Sequence, residues 1–189
     1  MNNNSVFTFI GLPFSQSYIK NIYDWFNIVP AAKYKILLDR HALRNYIPLQ
    51  QINTLYPNVK TISIVTNPWS RVFQIYIFLI SRQSNPITFD FNTFVTKLTT
   101  PILPNNIMSL SQLSRVRYQV NNTYITADYI FREENLIEDF KSLQAYFDSD
   151  IPIESPPPTA DYQKEYNIES RQIVQELFKD DIEYFGYTF

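Results

Sequence analysis

The chain has no cysteine, one histidine and two glycines in 189 residues, and each scarcity removes a class of chemistry. Without cysteine there are no disulfides, thiolate metal sites or cysteine nucleophiles, a usage that fits a cytoplasmic protein. A single histidine, His41, excludes clustered-histidine metal sites, so no metal is expected. Gly11 and Gly186 are the only glycines, whereas phosphate-cradling loops use several so that backbone can approach the ligand. No G-x-x-x-x-G-K-[ST] motif occurs. Sixteen basic and eighteen acidic residues leave a net charge of −2, with no basic run. Nucleic acid and acidic membrane surfaces are therefore disfavoured as partners. Long apolar runs are missing too. Val72 to Ile80 is the most apolar window, too short to span a bilayer. The opening MNNNSVF lacks the charged and apolar regions of a signal peptide, which makes the Asn-x-Ser/Thr triplets at Asn3 and Asn121 chance matches. No internal repeat is visible.

What is present is apolar and aromatic: 45% hydrophobic residues and 16% aromatic. A chain of this length and composition is globular and can bury a substantial core as one domain, 1–189. Its most informative stretch is Thr61 to Ile80. Thr61-Ile62-Ser63-Ile64-Val65 is β-branched and free of Gly and Pro, the pattern of a buried strand. Thr66-Asn67-Pro68 ends it, because Pro68 cannot donate to a ladder and biases Asn67 away from helix. Trp69, Val72, Phe73, Tyr76, Ile77 and Ile80 then recur at helical spacing. A strand–turn–helix unit puts backbone N–H groups just past the strand's carboxyl end, where α/β proteins bind anions. An ordinary core strand followed by a core helix fits the same pattern.

Other elements alternate in the same way. Val6–Ile10 reads as a first strand, Gly11-Leu12-Pro13 as a turn, and Ser15 or Ser17 as the cap of a helix to about Phe26. Tyr34–Leu38 is a second strand, and Pro48 suits the first turn of a short helix to Tyr56. Phe89, Phe91, Phe94, Val95 and Leu98 predict a helix, and Pro101 to Asn106 a loop. A strand over Ala127–Phe131 precedes a helix from Glu133 to Phe147. Ile151 to Ala160, with its triple proline, reads as an extended connection within the domain. The last helix runs from Ile168 to about Tyr184, with Gly186 placed as a left-handed cap. Strands alternating with helices predict α/β: a mostly parallel central sheet flanked by helices, with right-handed crossovers. Val6–Ile10 and Thr61–Val65 are expected as adjacent parallel strands.

With those pieces placed, the chain resembles the sulfotransferases, in particular those acting on carbohydrate and related hydroxyl acceptors. Thr66-Asn67-Pro68-Trp69-Ser70-Arg71-Val72-Phe73-Gln74-Ile75-Tyr76 is similar to that family's R-N-P-aromatic-x-R-x-x-S-x-Y segment. Asp128 to Phe140 is similar to its D-x-I-x-R-x-E-N-L-x-x-D-F stretch. Asp180 to Tyr187 resembles its acidic run into F-G-Y, and Ile10 to Ile19 sits where the family has I-x-x-P-K-T-G-G-T-S. The resemblance implies a three-layer, P-loop-like architecture. It also implies sulfuryl transfer from 3′-phosphoadenosine 5′-phosphosulfate (PAPS) to an acceptor hydroxyl. The first strand's loop (Phe14, Ser15, Gln16, Ser17) would meet the donor's 5′ end, and the second unit's turn and helix (Thr66, Gln74) its 3′-phosphate.

At the charged positions the match departs from the family. The loop lysine falls on Phe14, the two following glycines on Gln16 and Ser17, the arginine on Thr66 and the serine on Gln74. Each hydrogen bond to a charged group is worth roughly 1.5–3 kcal/mol, so three losses weaken donor binding by several orders of magnitude. Ser15, Ser17, Lys20 and the N–H groups of a helix start offset part of that. His41 is the one side chain whose ordinary pKa suits a general base near neutrality. The alternative for it is an exposed loop histidine. Arg40, Arg115, Arg117 and Arg132 are candidates to line an anionic pocket, against the commoner reading as surface arginines. Phe73, Tyr76, Phe78, Tyr184 and Phe185 read as core. Three functions stay open: an active sulfotransferase, an inactive member binding a sugar, nucleotide or protein, and another nucleotide-dependent transferase.

Overall fold

The computed structural model describes residues 5–10, 34–36, 49–55, 59–81, 86–100, 111–147 and 161–189. The helix expected to Phe26, the turn at Gly11, Lys20, Arg40, Pro48, the loop from Pro101 and the segment from Ile151 to Ala160 lie outside those residues, as does the end of the second strand prediction. The chain divides into two compact units, Met1–Val65 with Ser114–Pro157 and Thr66–Leu113 with Pro158–Phe189.

The first unit holds the sheet. Strands β1 (Ser5–Ile10), β2 (Tyr34–Ile36), β3 (Val59–Val65) and β6 (Tyr129–Arg132) form one sheet in the order β2-β1-β3-β6, every pair parallel. The expected pairing of the first strand with Thr61–Val65 is present, with Thr8 opposite Thr61 and Ile10 opposite Ser63. From β1 the chain goes to β2 on one side and then to β3 on the other, so the topological switch point lies between β1 and β3. Thr61 to Val65 are all buried, polar Thr61 and Ser63 included. A central parallel strand is covered on both faces, hence a continuous β-branched run and no alternation. Helices α1 (Leu49–Leu55) and α4 (Leu136–Phe147) belong to this unit. Phe140 of α4, wholly buried, meets Phe131 of β6 edge-on at 5.7 Å.

A hairpin that the periodicity did not reveal precedes β6. Strands β4 (Arg117–Val120) and β5 (Thr123–Thr126) pair antiparallel, Val120 opposite Thr123. Asn121 and Asn122 between them both have positive φ, 48° and 63°. A two-residue I′ turn requires that conformation at both central positions, and asparagine tolerates it best after glycine. The Asn121 triplet thus marks a turn.

The second unit is helical: α2 (Pro68–Ile80), α3 (Phe91–Lys97), α5 (Ile168–Leu177) and α6 (Lys179–Phe185). The single C-terminal helix expected from Ile168 to Tyr184 is two helices broken at Phe178, and Gly186 caps the second at φ 69°. The expected core of this unit is corrected in detail. Phe73 and Phe185 are buried, but Phe78 and Tyr184 are 46% and 43% exposed, and Ile77 and Ile80 are exposed as well. At about 100° per residue Phe78 points away from Trp69, while Ile75 and Leu79 supply the buried face instead.

Candidate functional site

The turn after β3 is built from its own side chains. Asn67 caps α2: its Oδ1 accepts from Trp69 N–H at 3.1 Å, and its carbonyl accepts the first helical bond from Arg71 N–H at 2.9 Å. Pro68 takes the first helical position, where a missing N–H costs nothing. The other end of the Asn67 amide donates to the Thr188 carbonyl at 2.8 Å. Trp69 is buried, its Nε1–H donating to the Arg171 carbonyl at 3.1 Å and its own carbonyl accepting from the Tyr166 hydroxyl at 2.8 Å. Phe189 meets Trp69 edge-on at 5.6 Å and carries the Arg171 guanidinium over its face at 4.2 Å. Burial, with Tyr162 adding, pushes the Tyr166 phenol well above its ordinary range, so it stays a protonated donor.

Thr66 is 2% exposed. Its N–H donates to Gln112 Oε1 and its carbonyl accepts from Gln112 Nε2, both at 2.8 Å. One side chain thus satisfies both backbone groups of Thr66. Gln112 is anchored in turn by Asp181, whose fully buried carboxylate accepts from Ser111 Oγ–H and Gln112 N–H at 2.7 Å and from Leu113 N–H at 2.9 Å. Gln74, the seventh residue of α2 and half-buried, donates to the Ser70 hydroxyl at 3.3 Å. The residues at the two expected 3′-phosphate positions are therefore neutral and engaged within their own unit. Phe14, Ser15, Gln16, Ser17 and His41 lie outside the described residues.

Sequence reasoning missed Gln112, which no local pattern marks. Asp181 did have a signal. Val174, Phe178, Asp181 and Phe185 fall at helical spacing and are all buried, so an acid sits on an apolar stripe. A carboxylate in that position must be hydrogen-bonded.

In the first unit the stretch from Asp128 to Phe140 is a set of struts. Asp128 accepts from the N–H and hydroxyl of Thr61, each at 2.9 Å, and pairs with Lys60 at 2.6 Å. Burial opposes ionisation of Asp128, but Lys60 and the two Thr61 donors outweigh it and hold the carboxyl below its ordinary value. Asp139 accepts from Arg132 N–H at 2.8 Å and Asn135 Nδ2–H at 3.0 Å, fixing the entry to α4. Leu136 and Phe140 fill the core. The Arg132 side chain is exposed, and the Arg117 guanidinium lies over the Tyr124 ring at 3.4 Å.

No family model matches the chain, and no curated protein sequence matches it. Its structure is similar to the crystal structure of mouse sulfotransferase SULT7A1 complexed with PAP, with a TM-score of 0.57 over 96% of this chain and 85% of that one. The chain has the sulfotransferase fold: α/β, with a parallel sheet flanked by helices. Sequence identity to the mouse protein is 10%, so the likeness speaks of the fold alone. Among the described residues, no helix is long and apolar enough to cross a membrane, and no three His, Cys, Asp or Glu side chains are grouped to hold a metal ion.

Proposed function

We propose that this protein, as one domain over 1–189, is a sulfotransferase with a weakened grip on its donor. It moves a sulfuryl group from PAPS to a hydroxyl, most naturally that of a carbohydrate, in the cytoplasm and without a metal. The sulfur's bond to the donor phosphate oxygen breaks, its bond to the acceptor oxygen forms, and His41 takes the acceptor proton. The observation that carries the reading is the fold likeness over nearly the whole chain to a protein solved with PAP. The switch point between β1 and β3, and the capped start of α2 that follows β3 in the chain, support it.

A second reading, an inactive binding protein on the same fold, is favoured by one feature. Thr66 and Gln74 offer no cation at the two expected 3′-phosphate positions, and the Thr66 backbone and the Gln74 amide are bonded within their own unit. Calorimetry with PAP and a turnover assay with PAPS over a panel of sugar and small hydroxyl acceptors separate the two. The sulfotransferase reading expects a PAP dissociation constant weaker than about 100 µM together with measurable turnover. It also expects His41→Ala to lower the rate by ~10²–10⁴-fold with PAP affinity unchanged. Absence of turnover across the panel would leave the binding-protein reading in its place.

A further inference from the structure

We propose that Gln112, held by Asp181, is the positioning residue of the Thr66–Asn67 turn. The N–H of Thr66 belongs to the peptide shared with Val65, and its carbonyl to the peptide shared with Asn67. Binding both with one carboxamide fixes the two peptide planes at once, and with them the direction in which the chain enters α2. A side chain with several rotatable bonds would lose that hold unless its own backbone were fixed. Asp181 supplies this by accepting from three successive residues, 111 to 113, from a site with no exposure to solvent. Asn67 is tied separately to Thr188. The turn is thus held through Gln112 and Asp181 and again through Asn67 and Thr188. The ligand that the turn would meet is a nucleotide phosphate; that part rests on the donor-binding reading above, and the hold on the turn does not.

The test is amide hydrogen exchange by NMR on the full chain, with and without millimolar PAP, in wild type, Gln112→Met and Gln112→Glu. Methionine keeps the shape and removes both bonds; glutamate keeps the acceptor for Thr66 N–H. Gln112→Met should speed exchange at Thr66 by at least about tenfold while Ile62 and Ile64 in β3 stay protected. It should also weaken PAP by about tenfold, and Gln112→Glu should restore part of the Thr66 protection. Unchanged exchange at Thr66 in Gln112→Met would overturn the proposal. So would a loss spread equally over β3 and α2, which is plain destabilisation; faster Thr66 exchange with PAP affinity intact would leave the hold on the turn standing and overturn its link to the donor. If PAP perturbs no wild-type resonance, the donor reading fails, and the exchange at Thr66 still decides whether Gln112 holds the turn. Should Gln112→Met fail to fold, the Gln112→Glu pattern at Thr66 against Ile62 and Ile64 carries the decision.

Discussion

Segments 66–76 and 128–140 both resemble sulfotransferase motifs, and they differ in what the resemblance preserves. In 128–140 five of the shared residues, Asp128, Asn135, Leu136, Asp139 and Phe140, have identifiable work in holding the sheet and its flanking helix. Asp128 ties β6 to β3, Asp139 and Asn135 shape the entry to α4, and Leu136 and Phe140 are core. In 66–76 the shared residues do similar work: Asn67 caps, Pro68 starts and Trp69 anchors the helix, and the Tyr76 hydroxyl donates to the Phe89 carbonyl at 3.2 Å. The positions that differ, Thr66 and Gln74, are the ones where the family has a charged or hydroxyl ligand. Most of the shared letters here are ones the fold uses. A resemblance made of them points to an architecture, and leaves the chemistry to the positions around it.

Four measurements would break or sharpen that contrast, beginning with the largest. Asp181→Ala strands three donors in a buried site and should cost about 3–5 kcal/mol in urea unfolding. A loss below about 1 kcal/mol would mean that water or another group can replace it. Asp139→Ala removes two bonds at a partly exposed site and should cost about 1–2 kcal/mol, with the sheet intact by circular dichroism.

Tyr166→Phe should cost about 1 kcal/mol, since the ring stays against Phe91 at 4.7 Å and only the bond to the Trp69 carbonyl goes. A cost as large as that of Asp181→Ala would show that the hydroxyl, and not the ring, anchors Trp69.

The smallest effect is a pH dependence. Asp128 is depressed in the folded state, so its stabilising contribution is complete above its unfolded value, near pH 4, and is lost as pH falls through the lower folded value. Asp90, which caps α3 and is held low by Thr93, acts in the same direction. Stability measured from pH 5 downward should fall less steeply in Asp128→Asn than in wild type, by no more than about 1 kcal/mol in this partly exposed pair. Identical slopes would remove the Lys60–Asp128–Thr61 cluster from the account of how β3 and β6 are joined.

Much of the fold could be read from residues alone. The β-branched run to Val65, the Asn67-Pro68 break, the cap at Gly186 and the alternation of strand and helix all express local physics: steric preference, a missing N–H, a left-handed conformation that glycine tolerates. The hairpin at Asn121-Asn122 was legible in principle by the same rules. The exposure of Phe78 was less so, because helical spacing names a face without saying which face meets a partner or where along the helix the partner ends. What decides the Thr66 turn lies beyond local patterns altogether. Gln112 is 46 residues away along the chain, and Asp181 is a further 69 from Gln112. Neither has a reason to bond until burial removes water as the competing partner. Hydrogen bonds of that kind take their strength from the desolvated place they occupy, and only the folded chain creates that place.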